Sequence, residues 1–250
     1  MKRATASGAS QLSLFTQQPP DHQWRVRVSP RARRMTIRVF AGGRVEIAVP
    51  RTARPAAIER FVGQHREWIA RKIDELGAHP APIATIPERI DLAFTGESWS
   101  VEWYDAAGPL RLRTEGTTIR LCGNRSRVSE ARSLLRDWLI EHARERLEPV
   151  LQSVARETGM GYERMQIRRQ RTRWGSCSRR MTISLNCCLL FQSPAVVRYL
   201  LVHELCHTQQ MNHSVRFWRL VEQHEPDHRR LDRELVRGWR HVPAWVFGLS

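Results

Sequence analysis

Three histidines and a glutamate in the C-terminal third could hold a metal ion and use it. His203, Glu204 and His207 form a His-Glu-x-x-His pattern, and His213 follows six residues later. Histidines four residues apart on a helix point to one face, so both rings can grip one ion. A catalytic zinc keeps three protein ligands and an open position for water. The spacing therefore predicts a Zn²⁺ cofactor bound by His203, His207 and His213.

The third ligand is the least constrained by spacing. Glu222, His224 and His228 lie on the following segments and could replace His213. For His213 to return to the helix, the chain must turn after His207. Such a turn often needs a positive φ, which asparagine tolerates better than most residues. We therefore predict a left-handed conformation at Asn212.

A site of this kind is suited to the hydrolysis of peptide bonds. Zinc lowers the pKa of bound water toward ~7 and polarises a carbonyl. Glu204 is the expected catalytic residue, since it can take a proton from water and deliver it to the leaving amine. Arg171, Arg173 and Tyr199 are candidates for stabilising the oxyanion. The competing interpretation, an amphipathic helix with incidental histidines, does not account for a third histidine at a suitable position.

The elements around these residues are predicted from their patterns. Ser193 is a suitable N-cap and Pro194 a suitable first residue for the helix that carries the histidines. Apolar residues at helical spacing predict a long helix over 126–158 and shorter ones over 214–224 and 227–240. Strands are predicted over 165–168 and 182–190. Together these elements indicate an α+β unit.

The N-terminal half shows shorter periodicities. Alternating apolar residues over 35–39 and 45–49 flank an Ala-Gly-Gly turn, which predicts a β-hairpin. Pro55 opens a predicted helix over 55–76, a proline-rich linker follows at 80–87, and short strands return over 90–121. Residues 1–22 are rich in Ser, Thr, Gln and Pro, and we predict that they are disordered. The predicted division is a tail 1–22, a small β-rich unit 23–122 with one helix, and a catalytic α+β unit 123–250.

The charge balance is strongly basic. The chain has 41 Lys and Arg against 25 Asp and Glu, a net charge of +16. Seven arginines and one glutamate fall within 161–180, and 11 basic residues with two acidic ones within 1–54. Such excess attracts polyanions, although solvated arginines without a partner are the alternative interpretation. The predicted nucleic-acid contacts are Arg33, Arg34, Arg38, Arg168, Arg169 and Arg171.

The cysteine count and the hydropathy pattern predict the cellular compartment of the protein. Five cysteines with no Cys-x-x-Cys pair favour reduced thiols over a disulfide framework. The sequence has no apolar run of 18 residues and no signal-peptide core after Met1. We therefore expect a cytoplasmic protein with no membrane span.

Five short blocks fall in order between residues 162 and 240. They are Arg-Trp-Gly-Ser-Cys-Ser at 173–178, Ile-Ser-Leu-Asn at 183–186, Val-His-Glu-Leu-Cys-His at 202–207, Met-Asn-His-Ser at 211–214 and Phe-Trp at 217–218. Together they resemble the YgjP-like metallopeptidases, which are relatives of the SprT-type zinc proteases. The hairpin segment 33–39 is similar to the same family more loosely.

The resemblance implies a zincin-like α+β metallopeptidase domain. It implies zinc on His203, His207 and His213 with Glu204 catalytic, and a strand over 182–186 at the border of the cleft. The two cysteines of the matched blocks, Cys177 and Cys206, are expected to pack rather than to bind metal. The SprT-type relatives degrade proteins crosslinked to DNA, and the basic charge favours a similar action on DNA-associated proteins.

The tail carries one apolar segment, Gln11-Leu12-Ser13-Leu14-Phe15. It resembles the pentapeptide with which bacterial replication and repair proteins bind the sliding clamp. Leu14 and Phe15 can fill an apolar pocket while Gln11 forms a hydrogen bond at its rim, and Leu12 belongs to the same predicted clamp-binding segment. The alternative is a patch that packs back on the protein itself.

Two other functions compete with a peptidase. The three-histidine spacing also matches the YbeY-type endoribonucleases, but that pattern does not require a glutamate at 204. A nucleic-acid-binding protein with structural zinc is the second alternative. It is disfavoured because structural zinc is closed by four ligands, whereas three ligands and a glutamate describe an open site.

Overall fold

A small sheet backed by two helices forms the N-terminal part of the molecule. The computed structural model describes residues 24–40, 43–76 and 85–247. The first elements are β1 (Trp24–Val28), β2 (Thr36–Val39), β3 (Val45–Val49), α1 (Pro55–Gln64) and α2 (Arg66–Leu76). The predicted hairpin is present as antiparallel β2 and β3, and β1 adds to β3 in parallel. These elements enclose a core of their own, with Val45, Ile47, Ile58 and Ile69 buried.

The helix predicted over 55–76 is two helices. His65 separates α1 from α2 with φ −108° and ψ 8°, and its ring Nδ1 donates to the carbonyl of Phe61 at 2.7 Å. The side chain of His65 thus forms a hydrogen bond with the carbonyl of the residue four positions before it. A mixed pattern of apolar residues continues across this break, which is why the sequence predicts one helix.

A four-stranded sheet follows. Its strands are β4 (Arg89–Leu92), β5 (Glu97–Tyr104), β6 (Arg111–Glu115) and β7 (Thr118–Cys122), in the order β4-β5-β7-β6. Ile90, Leu92, Trp99 and Ile119 are buried in the larger core with the C-terminal helices. Packing therefore joins this sheet to the C-terminal elements, whereas the sequence predicts a boundary after it, at residue 122.

The C-terminal part contains the predicted α+β elements. They are α3 (Val128–Thr158), β8 (Arg164–Arg168), β9 (Gly175–Cys177), β10 (Thr182–Asn186), a 3-10 helix (Cys187–Phe191), α4 (Pro194–Gln209), α5 (Val215–His224), α6 (His228–Arg237) and two final 3-10 helices (Gly238–His241 and Ala244–Phe247). The long helix α3 and the helix α4 pack together, with β8 and the 3-10 helix Cys187–Phe191 against α3. The predicted α+β class is confirmed.

The strand predicted over 182–190 ends at Asn186. The side-chain Oδ1 of Asn186 accepts a hydrogen bond from the backbone N–H of Cys188 at 3.0 Å and so caps the 3-10 helix that follows. All five residues of that helix are buried. An apolar run without polar alternation is compatible with either structure, and the capping bond selects the 3-10 helix.

Two predictions concern residues outside the described ranges. The tail 1–22, with Gln11, Leu12, Leu14 and Phe15, lies there, as does most of the proline-rich segment 80–87. Of the helices that the structure describes, none combines the length and the apolar composition that a membrane span requires.

Candidate metal centre and active site

The helix α4 presents the His-Glu-x-x-His pattern from a buried support. Ser193 caps it, accepting a hydrogen bond from the N–H of Val196, and Pro194 occupies its first turn. Both predictions for this helix start are confirmed. Val197, Leu201 and Leu205 are fully buried, so the helix is held along its apolar side. His203, Glu204 and His207 lie in its last two turns.

The chain returns His213 to the helix without a left-handed residue. Gln210 is extended, with φ −132° and ψ 94°, and its N–H donates to the carbonyl of Cys206. Ser214 then caps α5. The prediction of a positive φ at Asn212 is wrong, since Met181 is the one non-glycine residue of the described ranges with a positive φ. The extended conformation of Gln210 at the helix end turns the chain enough to bring His213 back to α4.

The three histidine rings converge on one point. Nε2 of His213 lies 3.1 Å from Nε2 of His207 and 3.2 Å from Nε2 of His203. Two ligand atoms at about 2.0–2.1 Å from one ion and at a tetrahedral angle are separated by about 3.3 Å. The spacing of the three nitrogens therefore fits a single zinc-sized ion.

Hydrogen bonding among the rings does not explain this convergence. Nδ1 of His207 donates to the carbonyl of Gln210 at 3.0 Å, so the neutral ring presents a lone pair at Nε2. A proton on Nε2 of His213 can point at one neighbouring nitrogen, not at both. A shared cation satisfies all three lone pairs, and the Gln210 carbonyl then orients His207 as a second partner commonly orients a metal ligand.

The alternative third ligands lie elsewhere. Among the His, Cys, Asp and Glu side chains of the described ranges, the one group of three or more that could hold a metal is His203, His207 and His213. Glu222 is exposed and His224 half-buried on α5, and the buried His228 stacks on Trp218; none of the three belongs to that group. The geometry thus brings together the set that the sequence favoured.

Two aromatic rings of α5 hold the histidines from behind. Phe217 stacks on His207 with ring centroids 4.4 Å apart, and Trp218 stacks on His213 at 5.7 Å. Phe217 is fully buried. Helical spacing could not indicate this role, because His213 precedes the N-cap Ser214 and so lies outside the helix that carries the Phe-Trp pair.

Glu204 is buried directly under a glycine of β9. Its side chain is 4% exposed, and a Cβ placed on Gly175 would meet its Oε1 at 2.5 Å. The other carboxylate oxygen, Oε2, is buried without a hydrogen-bond partner. Burial raises the pKa of Glu204 to about 8, and the charge of Arg173 partly opposes this rise. A buried carboxylate with an unpartnered oxygen beside three imidazoles is suited to exchange a proton with water.

His203 and His207 are held neutral, the form that binds metal. Burial and then the neighbouring charges of His207 and His213 lower the pKa of His203 to about 3. Burial also lowers the pKa of His207. A cation between the rings would bind His203 and His207 without displacing protons from them, and its charge would favour the ionised form of Glu204. The donor set therefore fits a divalent ion.

A cleft of about 230 Å³ opens beside Glu204. It is lined by Arg173, Trp174, Gly175, Tyr199, Leu200, His203, Glu204, Asp232, Leu235 and Val236. Of the three oxyanion candidates, Arg173 and Tyr199 reach this cleft. The hydroxyl of Tyr199 donates to Asp232 at 2.9 Å, which leaves Arg173 as the side chain with charge to offer. Arg171 lies elsewhere and donates to the carbonyl of Phe247.

The strand that borders α4 is β9, not β10. The sheet order is β8-β10-β9, so β10 (Thr182–Asn186) is central and β9 (Gly175–Cys177) is an edge strand packed against α4. The expectation that 182–186 borders the cleft is therefore wrong. A short strand after the Arg-Trp pair was not predicted, because three residues carry too little periodicity to be recognised.

Asn186 fixes the loop before β9, a role that the sequence did not reveal. Its side-chain Nδ2 donates to the carbonyls of Gln170 and Arg173 at 2.7 Å each, and its backbone N–H donates to the carbonyl of Trp174 at 2.8 Å. Trp174 in turn stacks on Trp239 at 4.0 Å. Because Asn186 is buried, these bonds hold the edge strand at a set distance from Glu204.

The two cysteines near the site do not join the metal cluster. Burial and then the charge of Glu204 raise the pKa of Cys177 to about 11. Burial raises the pKa of Cys206 to about 12. Protonated thiols are poor metal ligands and poor nucleophiles, so the expectation that both serve in packing agrees with their surroundings.

The six arginines predicted to contact nucleic acid fall into two groups. Four of them are exposed, namely Arg33, Arg34, Arg38 and Arg168. Arg169 and Arg171 are half-buried, and they donate to the carbonyls of Val246 and Phe247 at 3.0 and 2.7 Å. The sequence treated all six alike because it shows charge but not burial.

A match to a known protein family agrees with this geometry. No curated protein and no solved structure matches the chain. The family model described as the YgjP-like metallopeptidase domain matches residues 33–237. That span covers most of the chain, including the hairpin, the edge strand β9, the His-Glu-x-x-His helix and α6. The chain therefore belongs to the YgjP-like metallopeptidase family.

Proposed function

We propose that this metallopeptidase is a zinc-dependent endopeptidase in which His203, His207 and His213 hold the ion and Glu204 handles protons. The observation that carries the proposal is the convergence of three Nε2 atoms beside a buried carboxylate with one unpartnered oxygen. When bound, zinc supplies Lewis acidity, which polarises a carbonyl and makes water a stronger acid. Three nitrogen ligands are the donor set of an open, catalytic zinc site.

Glu204 is positioned to accept a proton and then to donate the same proton. Its buried Oε2 accepts a proton from attacking water, and the same oxygen delivers it to the leaving amine. Burial makes this carboxylate more basic than usual, since it raises the pKa of Glu204 to about 8, and the charge of a bound ion would keep it ionised until water attacks. Arg173, at the cleft wall, supplies positive charge near the developing oxyanion.

The edge strand β9 supplies a binding surface for an extended substrate. An exposed strand edge presents backbone donors and acceptors, with which a peptide can pair as an additional strand. Since β9 packs on α4 and Gly175 touches Glu204, a peptide paired to β9 would run past the carboxylate. This placement favours a polypeptide substrate.

The competing ribonuclease proposal explains less of the site. A three-histidine ribonuclease does not require Glu204, yet here the glutamate is buried at the cleft and β9 carries a glycine where any side chain would collide with it. A closed structural zinc is likewise disfavoured, because the cluster has three members in the described ranges and no fourth.

The basic charge supports a location of the activity near nucleic acid. A net charge of +16 attracts polyanions over distances set by the ionic strength. We propose DNA-associated proteins, including crosslinked ones, as the substrates, with the exposed Arg33, Arg34, Arg38 and Arg168 contributing to general attraction.

Metal content and hydrolysis of the same variants test the peptidase proposal. His203→Ala, His207→Ala and His213→Ala should each lose stoichiometric zinc, whereas Glu204→Gln should retain zinc and lose hydrolysis by at least about 100-fold, in the range seen for general acid–base groups. The matched control is His224→Ala, which removes a histidine outside the cluster and should keep both properties. Zinc retained by His203→Ala, or hydrolysis retained by Glu204→Gln, would overturn the assignment.

A further inference from the structure

A second cavity, larger than the catalytic cleft, opens between α5 and α6 and has a volume of about 550 Å³. Helix α4 contacts both of these helices, whereas α5 and α6 contact each other little. One face of α5 lines the cavity with Val215, Trp218, Arg219 and Glu222, whose spacing of three and four residues places them on one side of the helix. A cavity of this size lies in the range of ligand-binding pockets.

This cavity adjoins the metal centre at two places. Asp232 of α6 lines both the cavity and the cleft beside Glu204. Trp218 lines the cavity and also stacks on His213, with ring centroids 5.7 Å apart. The buried His228 of α6 stacks on Trp218 at 5.8 Å, so rings from two helices fix this wall in place. A peptide that lies beside Glu204 therefore has the cavity within reach of one of its side chains.

Exposed apolar side chains surround the same region. Six large hydrophobic side chains are exposed in the described ranges, and Val215 of the cavity is the most exposed of them at 68%. A second, Val236, lines the catalytic cleft, and a third, Met211, lies two residues before His213. Since exposed apolar surface that is concentrated at one place marks binding sites, this concentration indicates an apolar ligand group.

The charged residues that line the cavity balance each other. Arg219 and Arg229 stand against the carboxylates of Glu222 and Asp232, whereas the whole chain carries a net charge of +16. A basic or an acidic side chain would meet as many like charges as opposite ones, so neither is favoured. An aromatic ring needs no charge partner and gains from contact with the ring of Trp218.

We infer that the cavity between α5 and α6 is a specificity subsite that receives an aromatic side chain of the peptide substrate. Its connection to the cleft through Asp232 places that side chain at a fixed position relative to the cleaved bond. Val215 and Trp218 form its apolar wall. The inference deepens the proposed peptidase activity and rests on it for the identity of the ligand as a peptide.

Cleavage of a mixture of unfolded proteins by the zinc-loaded full chain tests the subsite. Mass spectrometry of the products should show Phe, Tyr and Trp enriched at one position relative to the cleaved bond. Val215→Glu replaces an apolar wall residue with a carboxylate, and a glutamate in the first turn of α5 is compatible with the helix. For two peptides that differ only by Phe or Lys at that position, the ratio of kcat/KM should fall by about tenfold or more in this variant.

Val28→Glu is the matched control. It makes the same chemical change at a valine of β1 that is 58% exposed and does not line the cavity, so the ratio for the two peptides should be native. A native ratio in Val215→Glu would overturn the inference. Enrichment of Lys and Arg instead of aromatic residues in the products of the native chain would also overturn it, because the carboxylates would then dominate the subsite.

Binding without hydrolysis separates this inference from the peptidase proposal. A fluorescent peptide with a central Phe should bind the zinc-loaded Glu204→Gln variant, and addition of Val215→Glu should weaken binding by about tenfold, whereas addition of Val28→Glu should not. If the native chain cleaves no peptide but this difference in binding is found, the subsite stands and the peptidase proposal fails. Cleavage without any preference for aromatic residues overturns the subsite alone, and a chain that neither binds nor cleaves peptides overturns both.

Discussion

At the scale of single residues, the site depends on the packing of Glu204 against Gly175. The carboxylate occupies the space that a β-carbon on residue 175 would need. Glycine is therefore required there by proximity, since its backbone φ is not in the left-handed region. The glycine lets the edge strand approach the carboxylate, and the carboxylate in turn loses water on that side. This packing explains both the burial of Glu204 and its raised pKa.

Substitution of this glycine should separate catalysis from metal binding. Gly175→Ala must displace the Glu204 carboxylate or the strand by several tenths of an ångström or more, and misplacement of about 1 Å can cost on the order of 100-fold in rate. We expect kcat to fall by about 10- to 100-fold while the zinc content stays stoichiometric, as measured by peptide hydrolysis and elemental analysis.

Gly161→Ala provides the control for that change. A Cβ at Gly161 meets no atom within 4 Å, so the Gly161→Ala variant should hydrolyse peptide at the native rate. If Gly175→Ala hydrolyses peptide at the native rate, the position of Glu204 is not critical, and its proposed role as the proton carrier would have to be abandoned.

Helix α4 is the element on which the site depends. It carries two of the three converging histidines and the glutamate, and it contacts α3, α5, α6 and β9. Its N-terminal turn is capped by Ser193, ten residues before the first histidine. The cap and the site are thus at opposite ends of one helix, so the cap affects the stability of the helix without touching the chemistry.

Removal of this cap should lower the stability of the protein without changing its activity. Ser193→Ala loses the acceptor for the Val196 N–H, and the free energy of unfolding should fall by about 0.5–2 kcal/mol. Chemical denaturation of the zinc-loaded chain measures this change, and hydrolysis at 25 °C should stay native. Ser193→Thr, which retains a capping hydroxyl, should recover most of the loss. Equal stability of the alanine and threonine variants would contradict the capping role.

The molecule as a whole has two cores that meet through helices. The N-terminal sheet and α1–α2 enclose one core, and the second sheet shares the larger core with α3 and α4. The two parts meet where α2 contacts α6 and the 3-10 helix Gly238–His241. The N-terminal unit therefore packs against the part that carries the site, and the family match includes most of it.

The tail provides a prediction at the same scale. We propose that Gln11, Leu12, Leu14 and Phe15 bind a sliding clamp, because a polar segment cannot bury these apolar side chains by itself. Leu14→Ala with Phe15→Ala should abolish binding of the clamp by the full chain and by a peptide of residues 8–18, since each buried side chain contributes about 1.5–3 kcal/mol.

Thermal stability distinguishes clamp binding by the tail from packing of the tail on the protein itself. If the segment packs on the protein itself, the double substitution should lower the melting temperature, and the native chain should show no clamp binding. If it binds the clamp, the melting temperature and the hydrolysis of a free peptide should be native. Clamp binding by the double variant at native affinity would refute the proposal.

Local spacing determined much of the site. Histidines at positions i and i+4, a serine before Pro194 and alternating apolar residues at 35–49 each follow from the geometry of one element. The metal-binding cluster, the start of α4 and the hairpin could therefore be predicted from short stretches of sequence. The break at His65 and the end of β10 at Asn186 could not, because single side-chain hydrogen bonds decide them.

Contacts between distant residues were decided by the tertiary structure alone. Gly175 and Glu204 are 29 positions apart, and Asn186 and Gln170 are 16 positions apart. No periodicity relates such pairs, so the edge position of β9 and the burial of Glu204 became visible only with the fold. Burial is the physical reason: Arg168 is exposed whereas Arg169 is half-buried and bonds to the carbonyl of Val246, and the sequence specifies their charge but not their exposure.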